Sequence, residues 1–98
     1  MRIGNVELPS NVVMAPMAGV TDLPYRTILR EMGVGLTTTE MISAKAILYH
    51  NKNTEELMRT GADEHPVAVQ LFGSEPEIMA EIASRIEDRF DILDVNMG

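Results

Sequence analysis

Four segments of strand character, separated by segments of helical character, constrain the fold of this chain more than any other feature. The strand-like segments begin near positions 12, 36, 67 and 91, so the intervals between them are 24, 31 and 24 residues. Such intervals are typical of successive βα units, in which a helix crosses over between two parallel strands. No sequence repeat accompanies the spacing, which argues against a solenoid. We therefore expect an α/β chain of about four βα units.

The length of the chain limits how much of a barrel it can form. Its 98 residues allow one modest core, whereas a closed (β/α)8 barrel takes about 250 residues. Four βα units are half of such a barrel. The sequence thus predicts half of a TIM (β/α)8 barrel, with a short N-terminal β-hairpin that turns at Gly4 and Asn5.

The predicted strands are short apolar or β-branched runs. Residues 12–15 (VVMA) lack alternation, which indicates a strand buried on both faces, and Pro16 ends it. Residues 36–40 (LTTTE) and 67–72 (VAVQLF) form the second and third strands. Residues 90–96 (FDILDVN) form the fourth.

Helices are expected between these strands. Asp22 caps the first, Pro24 lies in its first turn, and Gly33 ends it. Its apolar face is expected to contain Leu23, Ile28, Leu29 and Met32. Ser43 opens a short second helix, which leads into a polar connection through residues 51–63.

The last helix carries the strongest helical signals. Ser74 and Glu77 are spaced as a capping box, in which each side chain bonds the backbone N–H of the other residue. One apolar stripe follows, formed by Ile78, Met79, Ile82 and Ile86. The acidic residues of this segment are expected to form its solvated face.

Composition excludes several classes of protein. Apolar residues make up 45% and charged residues 23%, as in folded globular domains. The chain has no cysteine, hence no disulfide, thiolate metal site or cysteine nucleophile. His50 and His65 have no partner at metal-ligand spacing, so no metal is expected. Neither a signal peptide nor a run of ~18 apolar residues is present, so we expect a cytoplasmic protein without a membrane partner.

The net charge of −7 is concentrated in the second half of the chain. Residues 1–45 hold four Lys/Arg and four Asp/Glu, whereas residues 46–98 hold four and eleven. Surfaces that grip nucleic acid are normally basic. If the substrate is a nucleic acid, its main docking surface therefore lies elsewhere.

Distinctive residues stand at the C-terminal end of each predicted strand. They are residues 16–19 (PMAG) for the first strand, Glu40 and Met41 for the second, Gln70 for the third, and Asp94 and Asn96 for the fourth. In parallel α/β proteins the chemistry collects at these ends. Small residues there allow a planar ligand to approach the backbone.

Each of these residues also has a structural interpretation. Residues 16–19 fit a tight turn without a ligand, and Gln70 fits an ordinary polar residue at a strand end. Glu40 is either a buried carboxylate satisfied by the backbone or a group that shapes a pocket. Asp94 fits a structural residue of the barrel.

Residues 15–22 (APMAGVTD) resemble the signature of the tRNA-dihydrouridine synthase family, whose members are FMN-dependent enzymes on a TIM barrel. Residues 39–41 (TEM), 69–73 (VQLFG) and 94–98 (DVNMG) are similar to the next three strand ends of that family, in order and spacing. The resemblance spans essentially the whole chain and is most like the bacterial B-type subgroup. It implies that residues 1–98 are the N-terminal half of the catalytic barrel.

The resemblance also implies an activity and a set of site residues. The family reduces a uridine of tRNA to dihydrouridine, with FMN as cofactor and NADPH as reductant. Pro16, Met17 and Ala18 would line the flavin through backbone contacts, and Gln70 would hydrogen-bond the edge of its ring. An amide can donate and accept together, which suits that mixed edge. Asn96 would lie beside the substrate uracil.

The general acid of the family is a cysteine that would follow Gly98. We therefore expect a fragment without a catalytic residue, inactive alone, whose later strands, phosphate-binding loops and tRNA-binding helical domain are absent. Isolated FMN affinity should be weak. The alternatives are another FMN-dependent barrel oxidoreductase, of the dihydroorotate or dihydropyrimidine dehydrogenase type, and a non-catalytic half-barrel module. Exposed sheet edges predict self-association of the fragment.

Overall fold

A three-stranded parallel sheet forms the centre of the computed structural model, which describes residues 1–17 and 21–96. The elements in chain order are β1 (Arg2–Ile3), β2 (Val6–Glu7), α1 (Leu23–Glu31), β3 (Thr37–Ser43), α2 (Ala44–Leu48), α3 (Lys52–Leu57), β4 (Val67–Phe72), α4 (Pro76–Ile86), a 3-10 helix (Glu87–Arg89) and β5 (Ile92–Asn96). The sheet order is β3-β4-β5, and both pairs are parallel. The α/β class with a parallel sheet is thus confirmed.

The first predicted strand, residues 12–15, forms only one parallel bridge, from Val13 to Leu36. Met14 N–H donates to the Leu36 carbonyl at 2.9 Å, so the segment runs beside the start of β3. Its ladder goes no further because Pro16 lacks an N–H donor. The expected burial on both faces is wrong, since Val12 is 59% and Val13 43% exposed.

Helix α1 has the predicted ends but not the predicted buried face. Asp22 caps it by accepting a hydrogen bond from Tyr25 N–H. Gly33, with φ of +99°, follows it in the left-handed conformation that favours glycine. However, Ile28 is 55% and Met32 77% exposed, and the fully buried side chain of the helix is Arg26.

The connection between β3 and β4 is more helical than predicted. Ser43 caps α2 as expected, and its hydroxyl accepts from Ala46 N–H. The expected polar connection contains α3, which Asn51 caps through bonds from Asn53 and Thr54 N–H. A helix of six residues is too short for an apolar stripe to reveal it in the sequence.

Helix α4 begins one residue later than the predicted capping box requires. Its N-cap is Glu75, which makes no side-chain cap bond, so the predicted capping by Ser74 is wrong. Proline disfavours the helical conformation of the residue that precedes it. Pro76 therefore keeps Glu75 extended, at φ of −112° and ψ of 107°, and is itself the first helical residue.

Two apolar clusters cover opposite faces of the sheet. The larger lies between the sheet and the helices; its buried members are Ile42, Ala44, Met58, Val67, Val69, Leu71, Ile82, Ile86 and Phe90. The predicted stripe of α4 belongs to it. The smaller cluster lies on the other face, where Leu8 packs against Leu36 and Ala68.

Leu8 follows an antiparallel pair, in which Arg2 lies opposite Glu7 and Ile3 opposite Val6. Gly4 takes the left-handed conformation between the two strands, at φ of +59°. The pair thereby delivers Leu8 and Val6 to the sheet face that carries no helix. Within residues 1–17 and 21–96, none of the helices combines the length and the apolar character that crossing a bilayer demands.

Candidate functional site

Polar side chains form a row across the C-terminal ends of the strands. The register places Met41 opposite Gln70, and Gln70 opposite Asp94. Side chains alternate along a strand, so Gln70 and Asp94 share a face with Ala68 and Ile92, which contact the smaller cluster. Gln70 and Asp94, here called the polar row, therefore lie on the face that the helices leave uncovered.

Gln70 and Asp94 are bonded to each other. Gln70 Nε2 donates to Asp94 Oδ2 at 2.8 Å. A carboxylate accepts but does not donate, so the amide must present its NH2 group to Asp94. The carbonyl oxygen of Gln70 consequently points away from Asp94, and it makes no hydrogen bond with the residues that the structure describes.

A β-bulge in β3 stands beside this row. Thr39 and Glu40 lie between register pairs that are separated on β4 by Val69 alone. Thr39 is buried, its hydroxyl donates to the Glu40 carbonyl at 2.9 Å, and it accepts from Gln70 N–H at 3.4 Å. Bulges commonly re-aim side chains next to functional sites. No local pattern in the sequence predicts this bulge. Glu40 itself is half-buried.

Asn96 lies one step further along the strands, opposite Phe72. Its Nδ2 is 3.2 Å from Met41 Sδ, so Asn96 spans from β5 to β3 above the row. It also lines an open cavity of about 400 Å³, together with Ser43, Ala44, Lys45, Phe72, Gly73, Ser74, Glu75, Ile78 and Met79. This volume is in the range of small-molecule sites. Gln70 and Asp94 do not line the cavity, so Asn96 lies between the cavity and the polar row.

Of the residues predicted in the first turn, the structure describes Pro16 and Met17, whereas Ala18 lies outside the described residues. Pro16 is half-buried, and the Met17 side chain is 49% exposed. Met17 N–H donates to Thr21 Oγ1 at 3.0 Å, and the Met17 carbonyl accepts from Thr21 N–H at 2.9 Å. The backbone of Met17 is therefore already paired, and its side chain is the part open to a ligand.

A buried ion pair stands behind this turn, and sequence reasoning missed it. Arg26 Nε is 2.7 Å from Glu64 Oε2, and both side chains are almost fully buried, at 1% and 4% exposure. Arg26 Nη1 also donates to the Thr21 carbonyl at 2.8 Å. The partners are 38 residues apart. Neither position carries a local signal for this contact.

A second contact of an acidic side chain lies at the opposite end of the sheet. His65 Nδ1 lies 3.0 Å from Asp91 Oδ2, which also accepts from Val67 N–H at 2.8 Å. Burial raises the pKa of Asp91, but the hydrogen bonds from His65 and Val67, with the nearby charges of His65 and Arg30, outweigh it and lower that pKa. Asp91 precedes β5, so this contact is remote from the polar row.

The structure contains no candidate metal centre in residues 1–17 and 21–96, where no three His, Cys, Asp or Glu side chains converge. His50 and His65 are both exposed, as expected of loop residues. The polar row instead presents an amide and a carboxylate on an open sheet face. An amide can donate and accept together, which suits hydrogen bonding to the edge of a planar ligand.

Comparison with known proteins decides the family. The family model described as dihydrouridine synthase (Dus) matches residues 13–98. The chain belongs to the dihydrouridine synthase family. The matched residues include the polar row, the bulge and the turn at Met17, so these features lie in the part that dihydrouridine synthases share.

Individual dihydrouridine synthases match over the whole chain. The chain is 40% identical over 100 residues to tRNA-dihydrouridine synthase B of Pseudomonas aeruginosa, and 38% identical over 99 residues to that of Vibrio parahaemolyticus. It is 40% identical over 100 residues to a probable tRNA-dihydrouridine synthase of Rickettsia bellii. The resemblance to the B-type subgroup is thus confirmed. The chain spans 30% of the length of the first relative and 31% of the other two.

Proposed function

We propose that this chain is the N-terminal half of the FMN-binding TIM barrel of a tRNA-dihydrouridine synthase. The whole protein would reduce a uridine of tRNA to dihydrouridine, with NADPH as reductant. Residues 1–98 would supply about four βα units of that barrel. The chain spans 30% of the length of the first relative, which supports a longer whole protein, and its later strands and tRNA-binding helical domain would lie outside these residues. Alone, these residues would be inactive.

The bonded pair of Gln70 and Asp94 carries this proposal. Because the Gln70 NH2 group donates one hydrogen to Asp94, its second amide hydrogen and its carbonyl oxygen remain for other partners. Together they offer a donor and an acceptor to a flavin edge, which itself both donates and accepts. The residues present therefore fit the cofactor.

Pro16, Met17 and Ala18 would bound the flavin on the side of the first segment. Since the backbone of Met17 is paired with Thr21, Met17 would contact the ring through its exposed thioether side chain. A polarizable sulfur packs favourably against aromatic rings. This differs from the backbone contact that the sequence led us to expect for Met17.

The chemistry that FMN supplies when bound is hydride transfer from NADPH to the uracil ring. Asn96 would hydrogen-bond the uracil, because its amide can match the mixed donor and acceptor edge of that base. The chain contains no cysteine. Since the family resemblance makes a cysteine the general acid, the proton for the reduced uracil would come from a group outside residues 1–98.

The tRNA would dock mainly outside this half barrel. Residues 46–98 carry eleven acidic against four basic side chains, and a phosphate backbone is repelled by such a surface. We expect the strong tRNA contacts in the remaining part of the protein.

A test uses the full-length gene product that contains this chain. Incubation with unmodified tRNA and NADPH should yield dihydrouridine, detected by mass spectrometry of nucleosides. Gln70→Ala should lower FMN occupancy and product together, whereas Glu81→Ala, on the exposed face of α4, should alter neither. If the protein holds FMN but forms no dihydrouridine on any unmodified tRNA, the proposal that tRNA is the substrate is refuted.

We also propose that residues 1–98 alone self-associate. Large apolar side chains are exposed on both sheet faces and at the first edge: Val12 (59%), Val13 (43%), Met41 (39%), Phe72 (36%) and Val95 (46%). Open parallel edges and uncovered apolar faces favour pairing with a second copy. Sedimentation of the isolated chain should show dimers or larger species, and a stable monomer at high concentration would contradict this.

A further inference from the structure

Met17 is anchored at both of its backbone groups by a single residue, Thr21. The Thr21 hydroxyl accepts from Met17 N–H at 3.0 Å and lies 3.2 Å from the Met17 carbonyl. That carbonyl also accepts from Thr21 N–H at 2.9 Å. Thr21 has 0% exposure, so water does not compete at its hydroxyl.

Thr21 is in turn held by Arg26. Arg26 Nη1 donates to the Thr21 carbonyl at 2.8 Å, and Nη2 donates to the Arg59 carbonyl at 2.9 Å. The guanidinium is fixed because Nε and Nη2 both bond the Glu64 carboxylate, at 2.7 and 3.2 Å. Two parallel bonds of this kind set the orientation of an arginine as well as its position.

Glu64 connects this assembly to the sheet. Its Oε2 accepts from the Thr37 hydroxyl at 2.9 Å, and its Oε1 accepts from Gly61 N–H at 3.3 Å. Thr37 is the first residue of β3, the strand that carries the bulge and Met41. A continuous set of contacts therefore runs from Met17 through Thr21, Arg26 and Glu64 to β3.

We infer that Thr21, Arg26 and Glu64, here called the Thr21 support, are positioning residues that fix Met17 relative to the sheet and thereby set flavin affinity. This inference rests on the proposed function. None of the three side chains is available to a ligand, since each is at most 5% exposed. Their effect on a ligand is therefore indirect, and Met17 is the exposed residue that Thr21 holds. A site displaced by even a fraction of an ångström binds and reacts less well.

The test compares Thr21→Val with Thr21→Ser in the full-length gene product that contains this chain. Valine keeps the volume but removes the hydroxyl, so both of its bonds to Met17 are lost. Serine keeps the hydroxyl. We expect Thr21→Val to weaken FMN binding about tenfold in a fluorescence titration, the loss that one to two hydrogen bonds produce, and Thr21→Ser to restore most of it.

Two further measurements separate positioning from loss of stability. Hydrogen exchange of the Met17 amide should accelerate in Thr21→Val and stay slow in Thr21→Ser. Ile82→Val, in the apolar cluster between sheet and helices, is the control for lowered melting temperature and should leave FMN affinity and Met17 exchange unchanged. Arg26→Lys, which cannot make the paired bonds to Glu64, should resemble Thr21→Val.

The outcomes are distinguishable. Unchanged FMN affinity in Thr21→Val would overturn the inference. An equal loss of FMN affinity in Ile82→Val, when the two variants have the same melting temperature, would also overturn it. Unchanged Met17 exchange in Thr21→Val would also overturn it. If the unmodified protein binds no FMN, the proposed function fails, while faster Met17 exchange in Thr21→Val would still establish the support.

Discussion

Gln70 on β4 donates a 2.8 Å hydrogen bond from Nε2 to Oδ2 of Asp94, its direct neighbour on β5. The carboxylate can only accept, so the bond fixes which end of the amide faces Asp94. Asp94 fits a structural residue when the sequence is considered alone. The structure gives it a second task, because it sets the hydrogen-bonding polarity of Gln70.

Asp94→Asn should weaken flavin binding in the full-length gene product. An asparagine can accept or donate, so the Gln70 amide loses its preferred orientation. We expect an increase in the FMN dissociation constant of about threefold to tenfold, as for loss of one hydrogen bond, measured by fluorescence titration. Asp88→Asn, in the 3-10 helix, removes the same charge and should have no effect. Equal affinities in Asp94→Asn and the unmodified protein would contradict this role.

Breaking the buried ion pair should cost much more stability than breaking an exposed one. Arg26→Met leaves the Glu64 carboxylate buried without its partner, which typically lowers the free energy of unfolding by about 3–5 kcal/mol. Arg85→Ala removes the exposed contact with Glu81 and should cost less than about 1 kcal/mol. Urea denaturation of both variants measures the difference. Similar losses would mean that the buried pair contributes little.

Stability should fall in acid partly because of Asp91. Its pKa is lower in the folded chain than the ordinary 3.8, so its contribution is complete above that ordinary value and is lost as the pH falls through the folded pKa. His65, Val67 N–H and Arg30 are the groups that favour the carboxylate. Asp91→Asn keeps an acceptor for Val67 but cannot ionise.

Melting temperatures measured from about pH 6 down to about pH 3 should therefore fall less steeply for Asp91→Asn than for the unmodified protein. Asp88→Asn serves as the matched control, because it removes an acidic residue from the neighbouring 3-10 helix. Parallel pH profiles for Asp91→Asn and the unmodified protein would show that Asp91 is not the group responsible.

The N-terminus of α4 should gain stability from a better cap. Glu75 makes no side-chain cap bond there, and a serine, threonine or aspartate cap typically adds about 0.5–2 kcal/mol. Glu75→Ser should therefore raise the free energy of unfolding, despite losing the exposed 3.4 Å contact with Lys45. Ser74→Ala should be nearly neutral. A large loss of unfolding free energy in Ser74→Ala would instead support the capping box that the sequence indicated.

Local signals explain which elements could be anticipated. The third strand, the α1 cap at Asp22, the stop at Gly33 and the α2 cap at Ser43 depend on residues a few positions apart, and all are present. The capping box failed because a neighbouring proline overrode a spacing rule. Helix α3 was missed because its single cap and six residues give no periodic pattern.

The candidate site was likewise predictable only in part from the sequence. The sequence places Gln70, Asp94 and Asn96 at the ends of successive strands, and parallel strands bring such ends to one edge. It says nothing about which side chains bond one another there. The Gln70 contact with Asp94 and the bulge at Thr39 follow from the register between strands, which single-strand patterns do not contain.

By itself the sequence determined the α/β class, the order of its strand-like segments and the family resemblance, since each rests on periodicity or on motifs of adjacent residues. Only the tertiary structure decided that α1 buries Arg26 rather than Ile28 and Met32. That arginine meets Glu64 from 38 residues away, and the free energy that makes its burial possible exists only when both charges and the Thr21 carbonyl converge. No pattern of neighbouring residues in the sequence can predict such a contact.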